Sequence, residues 1–244
     1  MLSKNQIKLI KSLGQKKYRQ QLNLFTVEGV KGINEFLNSD YELETLYTTE
    51  LVFEASNNQI QEISEFDLKR ITSLKNPNTA LALFKIPQNR QPLEYGLKIA
   101  LDAIRDPGNL GTIIRLCDWY GVQDLICNTN TVDCYNSKVV QATMGSLTRV
   151  NVTYLNLETY LTTNEASVFG TFMTGENVYT SDLPKEGVIV LGNEGNGISQ
   201  VIETKINRKL TIPQFGNLEA TESLNVANAT AIILSEFRRR SIEM

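Results

Sequence analysis

Histidine is absent from the 244-residue sequence, and its absence excludes several kinds of active site. Serine and cysteine nucleophiles are commonly activated by a histidine base, and many catalytic metals are held by imidazole nitrogens. Neither arrangement is available to this chain. Catalysis must therefore use carboxylates, amides, hydroxyls, lysine, arginine or the reactivity of a bound cofactor.

Cysteine is scarce, and long apolar runs are missing. Cys117, Cys127 and Cys134 form no C-x-x-C pair and are odd in number, so neither a disulfide framework nor a zinc site is predicted. No apolar run approaches the roughly 18 residues that a membrane span needs. Residues 1–20 are basic and amphipathic, unlike a secretory signal. We therefore expect a cytoplasmic protein without a membrane partner or a metal.

The net charge of -3 argues against nucleic-acid binding, but the charge is unevenly distributed. Residues 1–31 contain one acidic residue, Glu28, and seven basic residues. They are Lys4, Lys8, Lys11, Lys16, Lys17, Arg19 and Lys31. Charge alone does not separate a solvated helix face from an RNA-binding patch. We take Lys16, Lys17 and Arg19 as the candidate RNA contacts.

The hydrophobic pattern predicts an α/β protein with two domains. In the first 85 residues apolar strands alternate with helical segments. The strands are predicted at 24–27, 43–48 and 79–84, and the helices at 7–13, 29–37 and 65–74. A polar, proline-bracketed segment follows. The predicted organisation is a small domain over 1–87, a linker at 88–94 and a second domain over 95–244.

The second half restarts the alternation with shorter, more apolar strands. Strands are predicted at 97–102, 123–127, 148–152, 167–173, 187–191 and 209–212. Helices are predicted near 110–120, 137–143, 157–162, 200–205 and 225–239. This pattern is typical of a parallel sheet covered by helices on both faces. Ligands of such sheets bind at the carboxyl ends of the strands.

Three loops at that end of the sheet carry unusual residues. The first combines a Pro-Gly turn with Asn109 and leads into a helix bearing Arg115. The second, 192–199, is rich in glycine and contains Glu194. Its G-x-x-G-x-G spacing fits neither a Rossmann nor a P-loop fingerprint, and the carboxylate favours a neutral or cationic ligand, such as a sulfonium, over a phosphate. The third precedes the last helix, with Ser223 as the predicted N-cap and Asn225 beside it.

Taken singly, these residues are most simply read as caps and a surface arginine. Together they resemble the signature blocks of the SpoU/TrmH group of SPOUT-class RNA 2'-O-ribose methyltransferases. The family blocks N-P-G-N-x-G-x-x-x-R, L-G-x-E-x-x-G, and I-P-x-x-G followed by S-L-N-V correspond in order to Asp106–Arg115, Leu191–Gly197, Ile212–Gly216 and Ser223–Val226. Asp106 replaces the commoner asparagine, and six residues rather than fewer separate Gly216 from Ser223. These departures bear on loop capping and loop shape.

The resemblance implies an architecture beyond the reach of sequence patterns. It implies a C-terminal trefoil knot, which the general rarity of knots argues against, and a homodimer formed through the C-terminal domain. The first domain is similar in layout to ribosomal protein L30e and L7Ae, with a match at residues 25–29. By position in the family blocks, S-adenosylmethionine would be held by the backbone of Gly192, Ile212 and Leu224.

The implied reaction moves the sulfonium methyl group to a ribose 2'-oxygen of rRNA or tRNA, and the extra domain favours rRNA by analogy. Family proposals make Arg115 a base or a phosphate anchor, and we favour a phosphate clamp that stabilises the alkoxide. Asn109 and Glu194 would orient Arg115 or the ribose. Ser223 and Asn225 would shape the catalytic loop.

Three alternatives remain open at this point. The chain could be a non-catalytic RNA-binding protein of the same fold, a base-methylating SPOUT enzyme, or a different nucleotide-binding α/β enzyme. Intact Asn109, Arg115, Glu194 and Asn225 argue against the first. The missing Rossmann and P-loop spacings argue against the last. The sequence does not identify the RNA or the proton acceptor.

Overall fold

The structure, a computed structural model, describes residues 1–88, 91–216 and 223–239. It divides into two compact units, the first built from residues 1–89 and 133–148 and the second from residues 90–132 and 149–244. From the sequence pattern, residues 133–148 were predicted to belong to the second domain. In the structure this segment packs with the first unit, because its helix lies against the first strand of that unit.

Helices and strands alternate along the described chain. The first stretch contains α1 (Lys4–Ser12), α2 (Lys16–Leu22), β1 (Leu24–Glu28), α3 (Val30–Leu37), β2 (Leu43–Thr48), β3 (Ile60–Glu62), α4 (Glu65–Ile71) and β4 (Ala80–Lys85). It continues with β5 (Leu97–Leu101), α5 (Pro107–Trp119), β6 (Asp124–Cys127), α6 (Ser137–Thr143), a 3₁₀ turn (Ser146–Thr148), β7 (Asn151–Tyr154) and α7 (Leu157–Thr163). The last elements are β8 (Val168–Asn177), β9 (Gly187–Leu191), α8 (Gln200–Glu203), β10 (Arg208–Thr211) and α9 (Val226–Arg239).

The first unit is built on a mixed four-stranded sheet of order β1-β4-β2-β3. Helix α1 begins with a capping box, in which Ser3 and Gln6 satisfy each other's backbone N–H groups. Its apolar side chains Ile7 and Ile10 join Leu68 and Ile71 of α4 in one buried cluster. Amphipathic helices therefore supply the apolar cover of this sheet.

The second unit is built on a six-stranded sheet of order β10-β8-β9-β5-β6-β7, in which every pair is parallel. Alternate residues of its strands point to opposite faces. Val188 and Val190 join a core with α7 and α8. On the other face α5 and α9 pack together, and the rings of Phe169 and Phe237 meet edge to face at 5.2 Å. The predicted parallel sheet with helices on both faces is confirmed.

Several sequence expectations need correction. The short helix α2 and the short strand β3 were not predicted. The strand expected at 148–152 begins only at Asn151, after the 3₁₀ turn. No helix of the described ranges is long and apolar enough to cross a membrane.

Candidate active site

Two loops of the second unit leave the sheet side by side. The last residues of β5 and β9, Leu101 and Leu191, pair directly in the parallel ladder. The loop after β5 enters α5 through Pro107 at the first helical turn, with Asp106 accepting from the backbone N–H of Asn109 at 2.7 Å. Proline and a capping carboxylate at these positions favour helix initiation.

A chain of hydrogen bonds connects the side chains of the three motif loops. Asn109 Nδ2 donates to Glu194 Oε1 at 2.8 Å, and Asn225 Nδ2 donates to Asn109 Oδ1 at 2.9 Å. The structure thus brings together three predicted catalytic residues, which are separated by 85 and 116 positions along the sequence. All three side chains are at least partly accessible to solvent.

Asn225, and not Ser223, caps the last helix. Asn225 Oδ1 accepts from the backbone N–H groups of Ala227 and Asn228 at 2.9 and 3.3 Å, and α9 begins at Val226. The predicted Ser223 cap is therefore wrong, because the helix starts two residues later than that cap requires. Ser223 is exposed.

Arg115 lies on the exposed face of α5. Among the described residues its guanidinium has no hydrogen bond or ion pair. One turn further along the same face is Trp119, the single tryptophan of the sequence, which is 84% exposed. The donors of the Arg115 guanidinium are therefore available to an anionic ligand.

The glycine-rich loop makes a very close approach to itself. Asn193 and Gly197 exchange two backbone hydrogen bonds of 2.9 Å. A Cβ atom on Gly192 would lie 2.2 Å from the backbone of Gly197 and Ile198. No other residue fits at position 192 without moving the backbone, which explains the glycine of this motif.

The residues assigned to cofactor binding lie in the same loops. Gly192 follows β9 directly, Ile212 follows β10 directly, and Leu224 precedes the cap of α9. Gly192 and Ile212 are half-buried and Leu224 is 48% exposed. The ionisable group of the 192–199 loop is Glu194, so the loop suits a ligand carrying positive charge. Among the described residues no cluster of acidic or cysteine side chains could hold a metal.

Sequence reasoning missed the polar residues beneath these loops. Asp102, only 4% exposed, accepts from Asn128 Nδ2 at 2.7 Å and from the backbone N–H of Ser199 at 2.8 Å. Asn193 Nδ2 donates to the carbonyl of Ala103 at 2.7 Å. The available signal was a carboxylate placed directly after the wholly apolar strand β5, since buried carboxylates need partners.

A cysteine nucleophile is not present on α5. Cys117 is fully buried, and burial, with a smaller contribution from neighbouring Asp118, strongly raises the pKa of its thiol. The thiol therefore stays protonated and inert.

The predicted RNA contacts in the first unit separate into two kinds. Lys16 and Lys17 are exposed at the start of α2. Arg19 is 2% exposed. Its Nε and Nη2 donate to Asp133 Oδ2 at 2.9 and 2.6 Å, and its Nη1 donates to the carbonyl of Leu13 at 2.7 Å. Arg19 as an RNA contact is therefore corrected, because its guanidinium is buried against acceptors of its own unit.

The C-terminal arginines also differ from one another. Arg238 donates to the carbonyls of Tyr120 and Gly121 at 2.6 and 2.8 Å, just beyond the end of α5. Arg239 pairs with Glu236 on its own helix at 2.7 Å. Arg240 lies outside the described residues. Arg238 therefore stabilises the C-terminal end of α5.

Two family profiles match the chain. That of the SpoU rRNA Methylase family matches residues 96–235, and that of the MRM3-like substrate binding domain matches residues 4–82. The first match covers all three motif loops. The second covers most of the first unit.

Individual proteins resemble the chain over its whole length. It is 31% identical to the 23S rRNA (guanosine(2553)-2'-O)-methyltransferase RlmP of Bacillus subtilis, over 97% of each chain. A TrmH-family structure from Porphyromonas gingivalis superposes with a TM-score of 0.92 at 40% identity, covering 98% of this chain and 99% of the other. The AdoMet-bound rRNA methyltransferase from Sinorhizobium meliloti gives a TM-score of 0.87 at 30% identity, covering 100% and 97%.

Proposed function

Because the chain belongs to the SpoU rRNA methylase family, we propose that it transfers the methyl group of S-adenosylmethionine to a ribose 2'-hydroxyl of ribosomal RNA. The observation that carries the proposal is the pair of side-chain hydrogen bonds by which Asn109 contacts both Asn225 and Glu194, because they connect the three motif loops. The exposed Arg115 lies on helix α5, whose first turn contains Asn109. The RNA class follows the Bacillus subtilis relative, which is named as a methyltransferase of 23S rRNA.

When bound, S-adenosylmethionine supplies an electrophilic methyl group on a sulfonium centre. Gly192, Ile212 and Leu224 would hold it through their backbone groups. The carboxylate of Glu194 in the same loop fits a ligand that carries positive charge. The contribution of the protein is to bring the ribose oxygen and the methyl group to attack distance, which is worth about 7–11 kcal/mol of barrier at best.

Arg115 acts as a clamp for a phosphate next to the target ribose, and it stabilises the oxygen as its proton leaves. A guanidinium is a poor base because it keeps its proton throughout the physiological pH range. It is a strong donor to phosphate and to developing negative charge. Asn109 and Glu194 orient Arg115 or the ribose, while Ser223 and Asn225 shape the catalytic loop. In this arrangement the 2'-hydroxyl proton leaves late in the transfer or passes to water.

Finer features of the family are part of the same proposal. The C-terminal segment forms a trefoil knot. A supporting observation is that Asn225, which follows the edge strand β10 in sequence, reaches Asn109 beside the inner strand β5. The first unit has an L30e-like fold that binds RNA, for which the substrate-binding-domain match is the support. The protein acts in the cytoplasm.

A homodimer through the second unit completes the proposal. Support comes from Trp119, an exposed aromatic on the same helix face as Arg115, since aromatic side chains are enriched at interfaces. A dimer would place Arg115 near a second copy of the site. Sedimentation velocity measures whether the protein is a dimer. In a second measurement, the fluorescence emission of Trp119 should shift to shorter wavelength as the dimer forms. A monomer at micromolar concentration would contradict it.

The reaction is tested by incubating ribosomal RNA with methyl-labelled S-adenosylmethionine and the protein, then digesting the RNA to nucleosides. The proposal expects the label on a 2'-O-methylribose. Label on a base would assign the chain to base methylation. A protein that binds RNA but not the cofactor would instead be the non-catalytic RNA-binding protein.

A further inference from the structure

We propose that Asp102 and Asn128 are positioning residues for methyl transfer. Their hydrogen-bonded pair sets the geometry of the glycine-rich loop that presents Gly192 and Glu194. The inference rests on the proposed function only for what the loop binds. The pair and its connections to the loop are features of the structure itself.

Both carboxylate oxygens of Asp102 serve as acceptors. Oδ1 accepts from Asn128 Nδ2 at 2.7 Å, and Oδ2 accepts from the backbone N–H of Ser199 at 2.8 Å. Ser199 is the last residue of the loop before α8. Asp102 therefore ties the far end of the loop to the end of strand β5.

Asn128 and Asn193 tie the near end of the loop to the same strand. Asn128 Oδ1 accepts from the backbone N–H of Ala103 at 3.0 Å. Ala103 has a positive φ of 62°, a conformation that costs free energy outside glycine. In this orientation its carbonyl accepts from Asn193 Nδ2 at 2.7 Å. The conformation of Ala103 is thus stabilised by one hydrogen bond at its N–H group and another at its carbonyl group.

Glu194 lies between these two anchors. Asn193 Oδ1 accepts from the backbone N–H groups of Gly195 and Asn196 at 2.9 and 3.2 Å, which closes the turn around Glu194. Glu194 then reaches Asn109. Neither Asp102 nor Asn128 contacts Asn109, Glu194 or Arg115 among the described hydrogen bonds, so both act through the loop.

The same sheet contains a matched pair at its opposite end. Asp124, 2% exposed at the start of β6, accepts from Asn151 Nδ2 at 2.7 Å and from the backbone N–H of Leu93 at 3.1 Å. Each pair consists of a buried aspartate that accepts one hydrogen bond from an asparagine side chain and one from a backbone N–H group. They differ in that only the Asp102 pair is connected to the motif loops. The Asp124 pair therefore controls for loss of stability.

A reciprocal exchange provides the test. In Asp102→Asn, the new amide has one oxygen and one NH2 group. The NH2 group must face either Asn128 Nδ2 or the backbone N–H of Ser199, so one of these donors loses its acceptor. Asn128→Asp places two carboxylates at hydrogen-bond distance. Each single variant therefore leaves a buried polar group unsatisfied or two like charges in contact, which destabilises the loop. In the double variant Asp102→Asn/Asn128→Asp, the amide introduced at position 102 donates to the carboxylate introduced at position 128, so the side-chain hydrogen bond is restored in the reverse direction. The backbone N–H groups of Ser199 and Ala103 keep an oxygen acceptor at positions 102 and 128.

The measurements are the dissociation constant for S-adenosylmethionine by calorimetry, kcat and KM for methyl transfer, and hydrogen exchange of the amides of 193–199. Each single variant is expected to bind the cofactor about tenfold more weakly and to exchange faster across 193–199. The double variant should regain affinity, protection and kcat. Asp124→Asn should lower the thermal midpoint while leaving cofactor affinity and loop exchange as in the original protein.

The proposal is overturned if the Asp124→Asn protein loses cofactor affinity to the same extent, because the effect would then follow global stability. It is also overturned if the folded double variant stays impaired in loop protection. If a single variant does not fold, the double variant and the Asp124 control still decide between the outcomes. An unaltered protein that neither binds the cofactor nor methylates RNA would instead remove the proposed function, while the exchange data would still test the loop.

Discussion

Helix α2 buries Arg19 against Asp133, whereas helix α5 leaves Arg115 exposed on the helix whose first turn contains Asn109. The buried guanidinium has its donors directed at a carboxylate and a backbone carbonyl of its own unit. The exposed one has no partner among the described residues. A buried arginine whose donors are all hydrogen-bonded within its unit stabilises the fold. An exposed arginine without a partner can bind an anionic ligand. The same side chain therefore serves two purposes, decided by its surroundings.

Replacing Arg115 gives the largest expected effect. In Arg115→Ala the rate of methyl transfer should fall about a thousandfold, because the donor to the phosphate and the developing oxyanion is removed. Cofactor affinity, measured by calorimetry, should remain nearly unchanged. Lys185→Ala, at an exposed site elsewhere in the second unit, serves as the control. Loss of cofactor binding by Arg115→Ala would show that its role is assigned wrongly.

Arg19→Ala should instead lower stability. Removing one partner leaves Asp133 largely buried without its cation, at a cost of about 3 kcal/mol in the free energy of unfolding. Chemical denaturation measures the loss, and the rate per folded molecule should stay as it was. Arg149→Ala breaks the more exposed ion pair with Asp118 and should cost less than about 1 kcal/mol. Equal losses in the two variants would end the distinction between Arg19 and a surface cation.

The smallest effect is expected at the exposed lysines of α2. The double variant Lys16→Glu/Lys17→Glu should weaken RNA binding and reduce the slope of log K against log salt by roughly one for each phosphate that the variant no longer neutralises. Filter binding over a range of salt concentrations measures both. A control with Lys138→Glu/Lys185→Glu, two exposed lysines outside residues 1–31, has the same net charge. The same slope in both proteins would make residues 16 and 17 an ordinary solvated face.

The sequence predicted the secondary structure of the second unit well, because its apolar strands and capped helices are local patterns. Strand β9 was predicted with the observed bounds. Local patterns cannot reveal which side chains meet across long stretches of chain. Arg19 looked like the other cations of residues 1–31, since its partner Asp133 lies 114 positions away.

Competition between neighbouring residues explains the error at the last helix. Ser223 and Asn225 are both good capping residues. The helix begins where Asn225 can cap it and also donate to Asn109, a contact that no local pattern contains. The motif residues themselves were found only because three blocks were considered together. Asp102 and Asn128 escaped notice because their importance depends on the loops they support.

The contact between Asn109 and Asn225 has a consequence for the order of folding. It joins residues 116 positions apart, and closing so long a loop costs entropy that is recovered only when the surrounding contacts form. During synthesis the strands β5 to β9 leave the ribosome well before residue 225 does. We therefore expect the sheet of the second unit to assemble first. The site becomes complete only when α9 docks on α5, so enzymatic competence is acquired at the last stage of maturation.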